Sequence, residues 1–246
     1  LHPRNLPGRD FPLFSEALWL AALACLLLGS IASASPIQWV TVGDPGNEAD
    51  AAPASGPPGL GSVKTSFQIA KYEFTNQQYI DFLNSVDTSG TNPNSVYNPT
   101  MGTGPRGGIS FSSGAASGSK YGVKPNMGNK PVNYVSWFDA ARVSNWYQNG
   151  ATGSSSTETG AYTLVGGQTS GVAPAANSGA TFYVPTQDQW YKAAYYKGGG
   201  TSAGYWDYAT QSDSAPTAVT ADVTGMALLA ARATSRTTSI PLTGIA

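Results

Sequence analysis

Beyond position 34 this chain contains no cysteine and no histidine; its one Cys is Cys25 and its one His is His2. No disulfide, and no structural metal built on thiolate or imidazole, can staple the roughly 210 residues that follow. Their fold has to be held by packing, and a chain of that length can bury one good-sized core. The same absence excludes a thiolate nucleophile, a Ser-His-Asp relay and imidazole-ligated iron, copper or zinc.

Residues 17–30, ALWLAALACLLLGS, form an apolar run too short for a comfortable membrane span. Arg4 and Arg9 precede it, and Ala32-Ser33-Ala34 follows as a small-x-small cleavage site. The pattern predicts a secretory signal peptide over residues 1–34, cut after Ala34. An uncleaved anchor is the competing reading. The expectation is an exported chain, periplasmic or extracellular, with no stable membrane span once the signal is removed. With 13 basic and 14 acidic residues, the charge balance makes no case for nucleic acid or an anionic membrane surface as partner.

Strand composition marks residues 37–42, IQWVTV, and again residues 63–74, VKTSFQIAKYEF. Between them, Gly43 to Gly61 reads as a turn-rich linker. Three helix starts follow, each pairing a hydroxyl cap with a polar side chain three residues on: Thr75 with Gln78, Ser136 with Asp139, Thr186 with Gln189. In the first helix Tyr79, Phe82, Leu83 and Val86 fall on one face. The second is expected to bury Ala140, Ala141 and Ser144 and to pair Asp139 with Arg142 on its exposed side. The third is expected to turn Trp190, Ala193 and Ala194 inward and to end at Gly198-Gly199-Gly200. Two polar stretches, about 88–128 and 149–180, are too long for ordinary connections. They read as solvated insertions or as loops lining a groove.

Four segments, in order, resemble the formylglycine-generating enzyme (sulfatase-modifying factor) family. Tyr72-Glu73-Phe74-Thr75-Asn76, with Tyr79 and Phe82, is similar to its Y-E-V-[ST]-N-x-x-[YF]-x-x-F opening helix. Pro131 to Ala141, PVNYVSWFDAA, is similar to P-V-x-x-V-S-W-x-D-A, and Val184 to Ala194, VPTQDQWYKAA, to L-P-T-E-A-E-W-E-x-A-A. Tyr205-Trp206-Asp207 stands where the family carries a Y-P-W-G turn. The resemblance implies an α+β fold of the irregular C-type-lectin-like kind, loop-rich, with few short helices and strands. The expected organisation is a signal peptide (1–34), a family domain over 35–210, expected to be incomplete, and a divergent, truncated or frame-shifted tail over 211–246. The Met226-to-Ala231 run in that tail reads as a short helix.

The resemblance also implies copper held by a cysteine pair, calcium, and oxidation of a substrate cysteine to formylglycine. The G-N-V-W-E-W segment, the calcium sites and the cysteine pair that follow the aromatic turn in the family have no counterpart here. No cofactor is therefore expected in this chain, and no catalytic, cofactor-binding or metal-binding residue is assigned. Catalytic inactivity is the first expectation. A non-catalytic module for a polypeptide, glycan or surface partner is the alternative, and a relative of the iron-dependent sulfoxide synthases ranks last, for want of histidines.

Glu73 has the chemistry of a general acid, but a structural hydrogen bond within the signature segment is the plainer role. Asp139 and Asp188 lie in first helical turns, where a carboxylate complements the helix dipole. Asp207 and Asp213 share a polar loop and have the oxygen ligands a hard cation takes, without a defined spacing. Trp137, Trp146, Trp190 and Trp206 suit a sugar-stacking platform, although Trp137 and Trp190 at helical positions read as core and Trp206 is less constrained.

Overall fold

The computed structural model describes residues 35–54, 56–217, 220–221, 227–228 and 243–244. The predicted signal segment and most of the 211–246 tail beyond residue 217 lie outside the described residues. In chain order the elements are β1 (Trp39–Val42), β2 (Phe67–Ala70), α1 (Asn76–Val86), α2 (Thr100–Thr103), β3 (Ile109–Phe111) and β4 (Tyr121–Val123). There follow α3 (Trp137–Gln148), β5 (Phe182–Tyr183), α4 (Gln187–Tyr195), β6 (Thr220–Ala221), β7 (Ala227–Leu228) and β8 (Thr243–Gly244). The fold is α+β and loop-rich, with a four-stranded antiparallel sheet in the order β1-β2-β8-β5 and two separate hairpin pairs, β3-β4 and β6-β7. Ala227 and Leu228 of the predicted tail helix are thus in a strand, because their backbone pairs with Thr220–Ala221.

All three capping boxes form. The Gln78, Asp139 and Gln189 N–H groups each donate to the cap hydroxyl at 3.2 Å, while their side chains accept from the cap N–H at 2.8–2.9 Å. Each box satisfies two backbone donors that the first helical turn would otherwise leave open. This explains why short helices start sharply in a chain otherwise rich in loops.

Helix α1 buries Tyr79, Phe82 and Leu83 completely and Ile80 nearly so. These pack with Phe74, Val96, Met101, Ile109, Tyr121, Val132, Val143 and Trp146 into the main core. Full burial of each such side chain contributes on the order of 1.5–3 kcal/mol. Rings meet edge-on or tilted here, Tyr79 with Phe82 at 5.6 Å and Phe82 with Trp146 at 5.5 Å, the arrangement their quadrupoles favour.

Helix α3 lies between two cores. Val143 and Trp146 enter the main one, while Phe138 and Ala141 enter a second with Ala161, Tyr162, Leu164 and Tyr183. Burial on both sides leaves α3 little exposed face, which corrects the expected surface pairing of Asp139 with Arg142. Asp139 closes the capping box, and Arg142, with 0% of its surface exposed, forms a bidentate pair with Glu158 at 2.7 and 3.0 Å. The small residues Ala140, Ala141 and Ser144 are buried as their size requires.

The two polar stretches are built into the cores. Residues 88–128 supply Val96, Met101, Ile109 and Tyr121, and residues 149–180 supply Ala161, Tyr162 and Leu164. Side chains on the helices tie them down: Tyr79 donates to the Val96 carbonyl at 2.6 Å, and Asn84 exchanges two bonds with the Tyr121 backbone. Asp87 accepts from Thr91 N, Asn92 N and the Tyr121 hydroxyl. At Gly108 the backbone comes so near Asn76 that a Cβ would stand 2.4 Å from its Nδ2, a distance no side chain tolerates.

Helix α4 departs from expectation. Its buried residues are Gln189, Tyr191 and Lys192, while Trp190 is 42% exposed and Ala193 is exposed too. The 43–61 segment accounts for the rotation. Lys192 Nζ donates to the carbonyls of Gly43 and Asp44, the Tyr191 hydroxyl donates to Asp50, and Asp188 accepts from Gly61 N. The cap falls at Tyr196 and not at the glycine triplet. Gly199 N and Gly200 N instead hold the Asp44 carboxylate at 3.0 and 3.1 Å.

Leu83→Ala, which opens a cavity at the centre of the main core, is expected to lower unfolding free energy by about 2–5 kcal/mol in urea titration. Glu158→Ala is expected to cost roughly 3 kcal/mol by the same measurement, the low end for orphaning a buried charge, because the Glu158 side chain is 26% exposed.

Candidate functional site

Among the described residues an open cleft of about 590 Å³ lies beside β1 and the start of α1. It is lined by residues 35–38 just before β1, by the signature segment Tyr72–Thr75 with Gln77 and Gln78, and by Asn129 and Pro131. The capping box at Thr75 fixes where α1 begins and hence where Gln77 and Gln78 point. Asn76, buried beside it, donates from Nδ2 to the carbonyls of Met127 and Lys130 at 2.9 and 3.0 Å. That contact holds the 127–131 segment at the cleft. The Asn76 Oδ1 is buried without a hydrogen-bond partner.

The lining is mostly neutral. Gln78 Nε2 donates to the Pro36 carbonyl at 3.2 Å, and Gln77 Nε2 to Asp81 Oδ1 at 3.0 Å. Tyr72 is 60% exposed, with Lys71 Nζ 5.4 Å from its ring centre, within cation–π range. Glu73 is exposed overall, yet neighbouring atoms crowd its carboxyl and desolvation raises its pKa above the ordinary value. A smaller pocket, about 270 Å³, lies among Asp87, Asn94 and residues 153–158. Both of its carboxylates are engaged, Asp87 by the 91–92 turn and Tyr121, Glu158 by Arg142.

Among the residues weighed from sequence, the cleft gathers only Glu73. Asp139 and Asp188 sit in first helical turns and hold backbone N–H groups, Ser136 and Gly61 respectively. Asp213 accepts from Asp207 N at 3.1 Å and stands 3.4 Å from Lys197 Nζ, so this acidic pair is arranged as a turn. Trp146 is core, 1% exposed, and Trp137 packs edge-on against Phe138 and Tyr162. Trp190 is not core, as noted above, and Trp206 carries Lys197 Nζ 4.5 Å from its ring centre. The four indoles do not form one platform: two belong to different cores and two are on the 190–206 side. As cleft-lining groups Gln77, Gln78 and Asn129 were not legible: Gln78 shows in the sequence only as the capping partner of Thr75, and Gln77 and Asn129 only as neighbours of the signature motifs.

The resemblance implies copper on a cysteine pair. No described residue is Cys or His, and no group of three or more Asp, Glu, His or Cys among the described residues stands together as a metal site. Soft thiolates are what select Cu(I), so the donors present do not fit that ion. Among the described residues no helix is long and apolar enough to cross a membrane.

Asp139 supplies a pH signature. Burial is the dominant influence and raises its pKa, against the opposing hydrogen bonds from Ser136 and the charge of Arg142. The native state therefore keeps this proton to higher pH than the unfolded chain. Its contribution to stability falls as pH rises from the ordinary Asp value, about 4, through the raised native value. Asp139→Asn is expected to flatten that fall, read as the urea midpoint measured across this range.

Comparison with protein families matches residues 39–239 to the sulfatase-modifying factor enzyme 1-like domain. No curated protein matches the chain, and no solved structure does. The matched span takes in the four helices of the described residues, the three capping boxes in their expected order and the irregular α+β framework that they support. On that match, which covers well over half of its length, this chain belongs to the sulfatase-modifying factor (formylglycine-generating enzyme) family.

Proposed function

We propose that this chain is an exported member of the family that binds a neutral polar polymer, a polypeptide or a glycan, and does not itself oxidise cysteine to formylglycine. The observation that carries this reading is a division of labour among the polar groups. The carboxylates of Asp44, Asp87, Asp139, Glu158 and Asp188 are all engaged in internal hydrogen bonds or ion pairs. The open cleft presents the amides of Gln38 and Asn129 and an exposed phenol ring, with Glu73 its one lining carboxylate. Primary amides hydrogen-bond both ways, and an aromatic face beside them suits a peptide or sugar strand without asking for charge.

Two further supports come from the residues. Formylglycine formation with copper needs thiolates, and the chain's single thiol, Cys25, falls in the segment read as a signal. The export reading is supported by that apolar segment and its small-x-small end. No copper or calcium is assigned to the chain.

The test is a paired screen of the purified protein on peptide and glycan arrays. A hit on one of them is expected, and Tyr72→Ala is expected to weaken it about tenfold without altering thermal stability. Silence on both arrays, together with copper-dependent oxygen uptake in the presence of a cysteine peptide, would overturn the reading.

A further inference from the structure

We propose that α1 carries a receptor for the processed end of this chain: hydrolysis of the Ala34–Ser35 bond creates an α-ammonium that Asp81 captures. The proposal rests on the export reading above. Its two observations are independent of each other. One is the sequence pattern, an apolar run followed by Ala32-Ser33-Ala34, which places the scissile bond before Ser35. The other is geometric. Ser35 directs both its backbone nitrogen and its hydroxyl to one oxygen, Asp81 Oδ2, at 2.9 and 2.6 Å.

The receptor is built from one stretch of helix. Gln77, one turn before Asp81, donates to the other carboxylate oxygen at 3.0 Å and so orients the group. Gln78 donates to the carbonyl of Pro36 at 3.2 Å, seating the next residue. Residues 35 and 36 are thereby fixed by three side chains of α1, forty residues away in sequence, and they form part of the wall of the cleft.

The chemistry explains why processing strengthens this contact. In the continuous chain the Ser35 nitrogen is an amide, with one proton and no charge. A signal peptidase adds water across the bond: the C–N bond breaks, hydroxide goes to the Ala34 carbonyl carbon, and the proton goes to nitrogen. At neutral pH the products are a carboxylate and an ammonium. The ammonium meets Asp81 with a full charge and three protons, so a hydrogen bond charged only on its acceptor becomes a hydrogen-bonded ion pair. No lysine or arginine is among the residues lining the cleft, while Glu73 is. Tyr147 on α3 faces the same charge, for Asp81 helps to raise its pKa, after burial. The new N-terminus thus adds a cation where the facing groups are acidic or phenolic.

The experiment uses the full chain, expressed with export and purified from the exported fraction. N-terminal sequencing and intact mass are expected to show a chain beginning at Ser35. NMR titration is then expected to place its α-amine about one pH unit above the ordinary range of roughly 7.7–8.0. Asp81→Asn is expected to return it to that range, whereas Ser35→Ala, which keeps both charges, leaves it raised. The sign of the stability effect follows: the gain over Asp81→Asn is full below the unfolded α-amine value and disappears as pH rises through the raised one.

Retention of residues 1–34 would overturn both this proposal and the export reading. Cleavage at another bond would overturn the proposal and leave export standing. A chain starting at Ser35 whose amine titrates alike with and without Asp81, or loses its shift in Ser35→Ala, would overturn the capture by charge alone.

Discussion

A guanidinium with no exposed surface dictates much of this architecture. Arg142 projects from a helix flanked by two aromatic cores, and a charge so placed is tolerated only with a close partner. Glu158 supplies it in bidentate geometry, so the chain that leaves α3 must return to it within sixteen residues. Asn145, one turn further on, repeats the constraint without charge, bonding to Thr157 O and Tyr162 N. The returning segment then delivers Ala161, Tyr162 and Leu164 to the second core.

The same device recurs where α4 meets the 43–61 segment. Lys192 is 1% exposed and caps two carbonyls of that segment, with its pKa lowered chiefly by desolvation. Asn47, equally buried, bonds to Gly61 O, Val63 N and the Tyr205 hydroxyl. Side-chain-to-backbone bonds of this kind do in the described residues what disulfides do in many loop-rich exported domains. They also commit most buried polar groups to structure. In the cleft the lining groups are mostly amides, hydroxyls and an aromatic ring, with Glu73 the one carboxylate, which is the basis for reading it as a place of binding.

That cleft depends on the signature segment twice over. Thr75 and Gln78 start the helix, and Asn76 draws the 127–131 segment up to it. Tyr134, held at φ 65 in the second motif, is another sign of constraint, since a bulky side chain rarely occupies the left-handed region. It turns the chain just before the Ser136 cap. Motif residues that look catalytic in a string of letters are here largely the hinges and caps of an irregular fold.

Sequence alone determined the features governed by neighbours in the chain. The three capping boxes, the buried face of α1 and the small residues of α3 were legible because each rests on spacing within one or two turns, and the family because four such local motifs follow in order. Only the tertiary structure decided which polar residues go inside. Arg142, Lys192 and Asn47 are buried because distant segments supply their partners, and Trp190 is turned outward because Lys192 and Tyr191 are drawn to the 43–61 segment. The cleft was hidden for the same reason: its walls come from positions 35–38, 72–78 and 129–131. A one-dimensional pattern records the capacity of a side chain to hydrogen-bond, but the choice between water and a partner a hundred residues away is made by packing.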